Sequence, residues 1–377
     1  MLFLSWRDPH NPRAGGAELY THEVARRMVA RGDTVEWFVA SFEGAAAEEN
    51  LDGVRIVRSG RQWSVHAHAY RRYHGVRQMD FDAVIDEVNT IPFFTPLWAR
   101  IPSLILIYQL AREVWWRESA FPINAVGYAV EPSYLRLYRR TPAVTISAST
   151  EADLRHLGFS SPITVLPIGL EPMTVPNVVK EKVATFLYVG RMAPSKRVHD
   201  IVEAFATYRH GGKDGMLWLV GDGDNGYLQR LRNRVQALEL DSSVEFLGRL
   251  TTDEKHERMA RAHGLLMASV REGWGLSIAE ANACGTPAIA YDVPGLRDAV
   301  RSGETGLVVQ PTPNAMASAM AQLTSEPETY AHLAAAGRAW SATFSFDRAT
   351  DAMRAAIEDA VAASERRSGT HAAASGP

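Results

Sequence analysis

Short apolar runs alternate with helix-period patterns along nearly the whole of this chain. In the first half the runs of strand length are Leu2–Ser5, Val35–Val39, Val54–Val57, Ala83–Ile85, Leu104–Ile107, Ala143–Ile146 and Ile163–Val165. Gly16–Arg31 has the pattern of a helix closed by Gly32. Leu166-Pro167-Ile168-Gly169-Leu170-Glu171-Pro172 then interrupts the alternation, and a proline-bearing stretch leads to Lys182, which predicts an interdomain linker. The second half restarts with Ala184–Val189, succeeded by Met216–Val220, Val244–Leu247, Leu265–Met267, Pro287–Ala290 and Leu307–Val309. Two helices are expected near Glu326–Trp340 and Phe346–Ala362. Strands separated by helices are the pattern of α/β architecture, and each half predicts one doubly wound parallel sheet. The expected division is residues 1–170, 171–340, a final helix over 341–363, and a polar, small-residue tail over 364–377 expected to be disordered. Ligands of such sheets bind off the carboxyl ends of the strands.

Composition changes this picture little. The chain has 377 residues, enough for two cores, and a net charge of −3, which gives no basic field for nucleic acid. Cys284 is the only cysteine, which excludes an internal disulfide and fits a reducing cytoplasm. It is expected to be a small buried hydrophobe. The apolar start Met1–Ser5 is too short for a signal peptide, and Ser103–Tyr108 has strand length rather than membrane-spanning length.

The chemistry concentrates in Arg271-Glu272-Gly273-Trp274-Gly275-Leu276-Ser277-Ile278-Ala279-Glu280. This reads as a glycine-flexed loop entering a helix, with Glu272 on the loop and Glu280 one turn inside. Gly273 and Gly275 allow close backbone approach to a ligand. Ser277 is the expected cap, and the amides after it would face an anion. Gly285-Thr286-Pro287 closes the helix. Amides take phosphate and carboxylates take pairs of hydroxyls, so the segment suits a sugar nucleotide.

The segment resembles the donor-site motif of the retaining glycosyltransferases of family 4, also called group 1, which have the GT-B fold of two facing Rossmann-like domains. Gly190-Arg191-Met192-Ala193-Pro194-Ser195-Lys196 resembles the family's phosphate-binding loop, and Asn11-Pro12-Arg13-Ala14-Gly15-Gly16-Ala17-Glu18 its N-terminal glycine loop. The likeness runs from Leu2 to about Ala362. It implies a nucleotide-sugar donor, UDP- or GDP-linked, held mainly by the second domain, with the first on the acceptor side and the final helix returning to it. Glu280 would hold the ribose and Glu272 the transferred sugar. Arg191 and Lys196 would stabilise the departing diphosphate, so no metal or other cofactor is required. Gly15 and Gly16 would add amides to the diphosphate. Gly221, Gly223 and Arg249 would line the nucleotide pocket with Gly273, Trp274, Gly275 and Leu276. The acceptor would be a small molecule, a glycan or a lipid-linked sugar. A cytoplasmic enzyme, peripheral at the inner membrane face, is the matching location. Tyr108-Gln109 stands where many members carry a sugar-facing histidine, a departure that leaves the sugar-facing role of this loop open, with Gln109 as a candidate for it.

Other patterns point elsewhere. Gly221-Asp222-Gly223-Asp224-Asn225-Gly226 satisfies G-x-G-x-x-G and would support an NAD-linked oxidoreductase, but it comes after the second strand of its half, where a dinucleotide fold uses the first. His22-Glu23 opens like a zinc-protease motif, with Arg26 in place of the second histidine. Trp63–His74 is aromatic and basic, the composition of an acceptor-groove helix or a solvated amphipathic face, and its histidines make no metal site. Trp115 and Trp116 offer rings for stacking on sugar or for plain packing. The reading is a hexosyltransferase-like enzyme, with a GT-B sugar-nucleotide epimerase as the near alternative.

Overall fold

The computed structural model describes residues 1–75, 80–173 and 178–374. The middle of the expected linker, residues 174–177, lies outside the described residues. In chain order the elements are β1 (Leu2–Leu4), α1 (Gly16–Ala30), β2 (Glu36–Val39), β3 (Glu48–Leu51), β4 (Val54–Arg58), α2 (Val65–Gly75), β5 (Val84–Val88), β6 (Ser103–Ile107), α3 (Glu113–Glu118), α4 (Ile123–Leu135), β7 (Ala143–Thr145), α5 (Ala148–His156) and β8 (Ile163–Val165). The second half contains β9 (Thr185–Val189), α6 (Val198–His210), β10 (Met216–Val220), α7 (Asn225–Ala237), β11 (Val244–Gly248), α8 (Thr252–Arg261), β12 (Gly264–Met267), α9 (Leu276–Ala283), β13 (Ala288–Tyr291), β14 (Gly306–Val309), α10 (Pro313–Ser325), α11 (Pro327–Ser341) and α12 (Phe346–Ala374).

The chain divides into two units. Unit 1 takes Met1–Ala111, Val126–Gly169 and the chain from Ser345 on; unit 2 takes Arg112–Ala125 and Leu170–Phe344. In unit 1 the sheet order is β3-β4-β2-β1-β5-β6-β7-β8, parallel throughout except where β3 runs against β4. The central strands β1, β2 and β5 are buried at every position, as strands covered on both faces are. The β3–β4 hairpin is absent from the sequence expectation. Glu48-Glu49-Asn50-Leu51 has no apolar run, but Asp52-Gly53 marks the turn, with φ of +51° and +85°.

In unit 2 the order is β11-β10-β9-β12-β13-β14, all parallel, so the first strand β9 lies centrally with β12 beside it. The order reverses between β9 and β12. Ligands of such sheets bind at the carboxyl ends of the strands where the order reverses.

The last helix departs from expectation in its length. α12 runs to Ala374, so residues 364–374 are helical rather than a disordered tail. The stretch is polar, yet it contains no proline and ends in three consecutive alanines, good helix formers that let an established helix continue. Among the described residues no helix is long and apolar enough to cross a membrane.

Candidate functional site

Two loops of unit 2 meet at the point where its strand order reverses. The first leaves β9 and carries Arg191 and Lys196; the second leaves β12 and carries Ser269 and Glu272. Lys196 Nζ donates to Glu272 Oε1 at 2.5 Å, and the buried Ser269 hydroxyl donates to the same oxygen at 2.6 Å. The β9 loop is held from beneath. Tyr188 Oη donates to the Arg191 carbonyl at 2.8 Å. Burial, and then the Glu272 charge, push that hydroxyl well above its usual pKa, so it stays a neutral donor. Arg191 itself is more than half exposed.

Glu280 lies on α9 and is held in the same manner. Lys255 Nζ, from α8, donates to Glu280 Oε1 at 2.7 Å. Among the described residues no donor reaches Oε2 of either Glu272 or Glu280. Each carboxylate is thus oriented and charge-balanced through one oxygen, while the other keeps acceptor capacity for a hydroxyl.

The loop between them is built for close approach. Glu272 N donates to the Pro294 carbonyl at 3.0 Å, and a Cβ on Gly295 would lie 2.0 Å from the Glu272 carbonyl, so only glycine permits this crossing. Gly275 sits at φ +99° as the residue that starts α9, with Leu276 next in the first turn. The expected Ser277 cap is therefore corrected: Ser277 lies inside the helix, and its hydroxyl donates to the Val189 carbonyl at 3.3 Å, tying α9 to the end of β9. The amides that open α9 carry no side-chain cap. The Trp274 ring is buried against Trp340 and Phe344, with centroids at 5.8 and 5.3 Å, and anchors the loop; what Trp274 and Gly273 present to a ligand is main chain.

The glycines of the G-x-G-x-x-G stretch have a different cause. A Cβ on Gly221 would lie 2.0 Å from the Gly190 carbonyl, and one on Gly223 would lie 2.1 Å from the Met192 carbonyl. The two loops touch backbone to backbone, with Met192 N donating to Asp222 O at 2.8 Å. The amides of Gly226 and Tyr227 at the start of α7 are taken by the Asp224 side chain, a built-in cap where a dinucleotide fold would leave them to pyrophosphate. Arg249 comes after β11 on an exposed turn, next to Gly248, whose carbonyl accepts from Gly221 N at 2.8 Å.

Gly15 and Gly16 belong to unit 1, after β1 and at the start of α1. The Gly15 amide donates to Glu18 Oε2 at 2.8 Å, and Arg7 Nε donates to Glu18 Oε1 at 2.8 Å, which pins this loop. Tyr108 is buried, and its hydroxyl lies 2.6 Å from Thr21 Oγ1, which donates in turn to Glu87. Burial, and then the charge of Glu18, push Glu87 well above the usual carboxylate range. Beside Tyr108 the Gln109 Oε1 is buried with no partner among the described residues. Trp115 is buried and Trp116 half exposed, so the first is packing. Burial pushes the Cys284 thiol up to about 11, which removes it as a nucleophile at neutral pH. Among the described residues no three His, Cys, Asp or Glu side chains group as metal ligands.

Lys255, Ser269 and Gly295 were missed by sequence reasoning. Ser269, close to Glu272, and the Pro294-Gly295 pair carried a local signal; Lys255 carried none, because only the adjacency of α8 and α9 brings it to Glu280.

Residues 14–172 match the family described as Glycosyltransferase Family 4, and residues 173–340 match the family described as Glycosyl transferases group 1. The chain is 36% identical over 194 residues to D-inositol 3-phosphate glycosyltransferase of Rhodococcus opacus, over 49% of this chain and 41% of that protein. Sucrose-phosphate synthase from Thermosynechococcus elongatus superposes with a TM-score of 0.79 at 21% identity, over 96% of this chain and 99% of that one. HepE from Anabaena, solved in complex with UDP-glucose, superposes with a TM-score of 0.72 at 18% identity, over 95% and 99%. Those two establish the fold, which is GT-B. The chain spans 20% to 41% of the length of several curated relatives it matches.

Proposed function

We propose that this chain, which belongs to the group 1 glycosyltransferases, is an enzyme that moves a sugar from a nucleotide-sugar donor to an acceptor hydroxyl with retention of configuration. The observation that carries the reading is the pair of carboxylates at the reversal of strand order in unit 2. Each is balanced by a lysine through one oxygen and free at the other. Glu280 takes the ribose hydroxyls and Glu272 those of the transferred sugar. Main-chain groups of Gly273–Leu276 face the phosphates, and Gly221, Gly223 and Arg249 border the nucleotide. The UDP-glucose complex of HepE supports a UDP-linked donor, with GDP as the second choice. The acceptor is a small molecule, a glycan or a lipid-linked sugar; with the last, the enzyme works at a membrane surface from the cytoplasm.

The chemistry asked of the protein is modest. The bond from the anomeric carbon to the diphosphate oxygen breaks, and the acceptor oxygen bonds to that carbon on the same face. The departing phosphate oxygen takes the acceptor proton, so no protein base is needed. Arg191 and Lys196 stabilise the charge that grows on the diphosphate, and turnover proceeds without a divalent metal.

Steady-state kinetics in EDTA, with a panel of nucleotide sugars as donors, test this. Arg191→Ala and Lys196→Ala should each lose about a hundredfold in turnover with the fold intact, the effect of one lost transition-state contact of about 3 kcal/mol. Near-normal rates in both variants would remove their role. Activity seen only with added magnesium or manganese would overturn the metal-free site. Turnover of the donor with no acceptor would make the enzyme an epimerase.

A further inference from the structure

The short helix α3 belongs to unit 2 and is pinned at both ends. At its start Arg271 Nε donates to Glu113 Oε2 at 2.9 Å. Burial pushes Glu113 up, but the hydrogen bond from Arg271, the backbone hydrogen bond at Glu113 itself and the charges of Arg271 and Arg112 together outweigh it, and the net shift is down. At its end Glu118 lies on the β9 loop. Ser195 N donates to Glu118 Oε1 at 3.3 Å, the Ser195 hydroxyl donates to the same oxygen, and Arg191 Nη1 donates to Oε2 at 3.4 Å. An amide, a hydroxyl and a guanidinium around two oxygens of one anion are the surroundings of a bound phosphate.

We propose that Glu118 sets the affinity of the donor site: its carboxylate is a resident anion that occupies a phosphate position on the Arg191–Lys196 loop and is displaced by the donor's diphosphate. This rests on the reading of that loop as the diphosphate site. Ser195 is buried, so its amide and hydroxyl need an acceptor when no donor is bound, and Glu118 supplies one. A diphosphate brings more charge and more oxygens to the same donors, so it wins the exchange. The cost of removing Glu118 is subtracted from the affinity observed. Both cations of the loop therefore begin in ion pairs, Arg191 with Glu118 and Lys196 with Glu272. The two pairs part ways when the donor arrives. Glu272 keeps a task once the donor is seated, whereas Glu118 only competes. Loss of its charge should improve binding, which is the reverse of what a supporting residue would show.

Titration calorimetry with UDP, GDP and inorganic pyrophosphate on the wild-type chain, Glu118→Gln and Glu118→Ala gives the answer, with a thermal melt of each to confirm folding. Both variants should bind their preferred nucleoside diphosphate about three- to tenfold more tightly than wild type, the range of one charge-assisted contact discounted for partial exposure. Donor KM should fall in parallel. Glu118→Asp keeps the charge one methylene short of Ser195 and should show part of the gain; it serves if the other two fold poorly. Binding that is unchanged or weakened in the variants overturns the proposal and makes Glu118 a structural clamp on α3. Failure of all the proteins to bind any nucleoside diphosphate overturns the donor-site reading itself, and the proposal with it.

Discussion

Glu272 and Glu280 look alike in the sequence, and their partners separate them. Lys196 and Ser269 hold Glu272 through one oxygen, and Lys255 holds Glu280. In both pairs each side chain is less than a quarter exposed, so removing one partner leaves a poorly solvated charge behind. The ribose is common to every nucleotide ligand, whereas the sugar is present only in the donor. Glu280→Gln should therefore weaken binding of both the sugar nucleotide and the free nucleoside diphosphate by roughly ten- to a hundredfold, the range for charged hydrogen bonds. Glu272→Gln should impair donor binding or turnover without weakening the free diphosphate, because it leaves Lys196 with one competitor fewer. Calorimetry with both ligands on both variants decides it. Equal loss of free diphosphate binding in the two would show that the division between ribose and sugar is wrong.

At the scale of elements, most strands were legible because a parallel sheet covered on both faces needs unbroken apolar runs, as in Thr185–Val189 and Met216–Val220. What escaped was pattern-poor or long-range. The edge strand β3 is largely polar, and the start of α9 is fixed by the positive φ of Gly275 rather than by the nearby serine. The residues of the proposed donor loop drew notice because they adjoin glycines in sequence. Lys255 and Glu118 act on them from other helices and could not. Lys180 is a further case of a long-range tie. Its Nζ donates to the carbonyls of Ala262 and Gly285 and to Thr286 Oγ1, at 2.6, 3.3 and 2.7 Å, so one side chain satisfies the ends of both α8 and α9. Burial lowers its pKa to about 8. The unfolded chain, near the ordinary lysine value of about 10.4, binds the proton more strongly, so this group makes the fold more stable as pH rises from about 8 to about 10. The expected gain is on the order of 2 kcal/mol. Melting of wild type and Lys180→Met at pH 7 and pH 10 checks it: the wild type should gain on the variant at the higher pH. A difference independent of pH would mean that Lys180 titrates normally in the fold.

At the scale of the whole molecule, the chain leaves unit 1 at Gly169 and comes back to it at Ser345. The return is a packing requirement of unit 1, and it predicts which end of α12 matters. Phe346, Ala349, Met353, Ile357 and Ala360 are buried at helical spacing, Ala360 being the last of that face among the residues whose burial is described. Phe346 lies 5.4 Å from the Tyr20 ring of α1, centroid to centroid, and the Arg27 guanidinium stands over the Phe346 ring at 5.1 Å. A Cβ on Gly169 would fall 2.1 Å from the Phe346 ring, so the chain also narrows to glycine where this helix begins. The flanking pairs Arg31–Asp347 and Arg354–Asp33, at 3.0 and 2.8 Å, are partly solvated and add little. Burial of one large apolar side chain contributes about 1.5–3 kcal/mol, so Phe346, Met353 and Ile357 together contribute roughly 5–9 kcal/mol. That is comparable with the whole stability of a typical domain, about 5–15 kcal/mol. A chain ended after Phe344 should therefore lose the folded state of unit 1 and give a melt with only the transition of unit 2. A chain ended after Ala363 keeps every residue of that face that is buried among those whose burial is described, and should melt within about 2 °C of the full chain, since changes away from buried features shift stability by about 0.5 kcal/mol or less. Circular dichroism melts of the two truncations separate packing from mere length. If the shorter chain kept both transitions, α12 would be an ornament on unit 1 rather than part of its core.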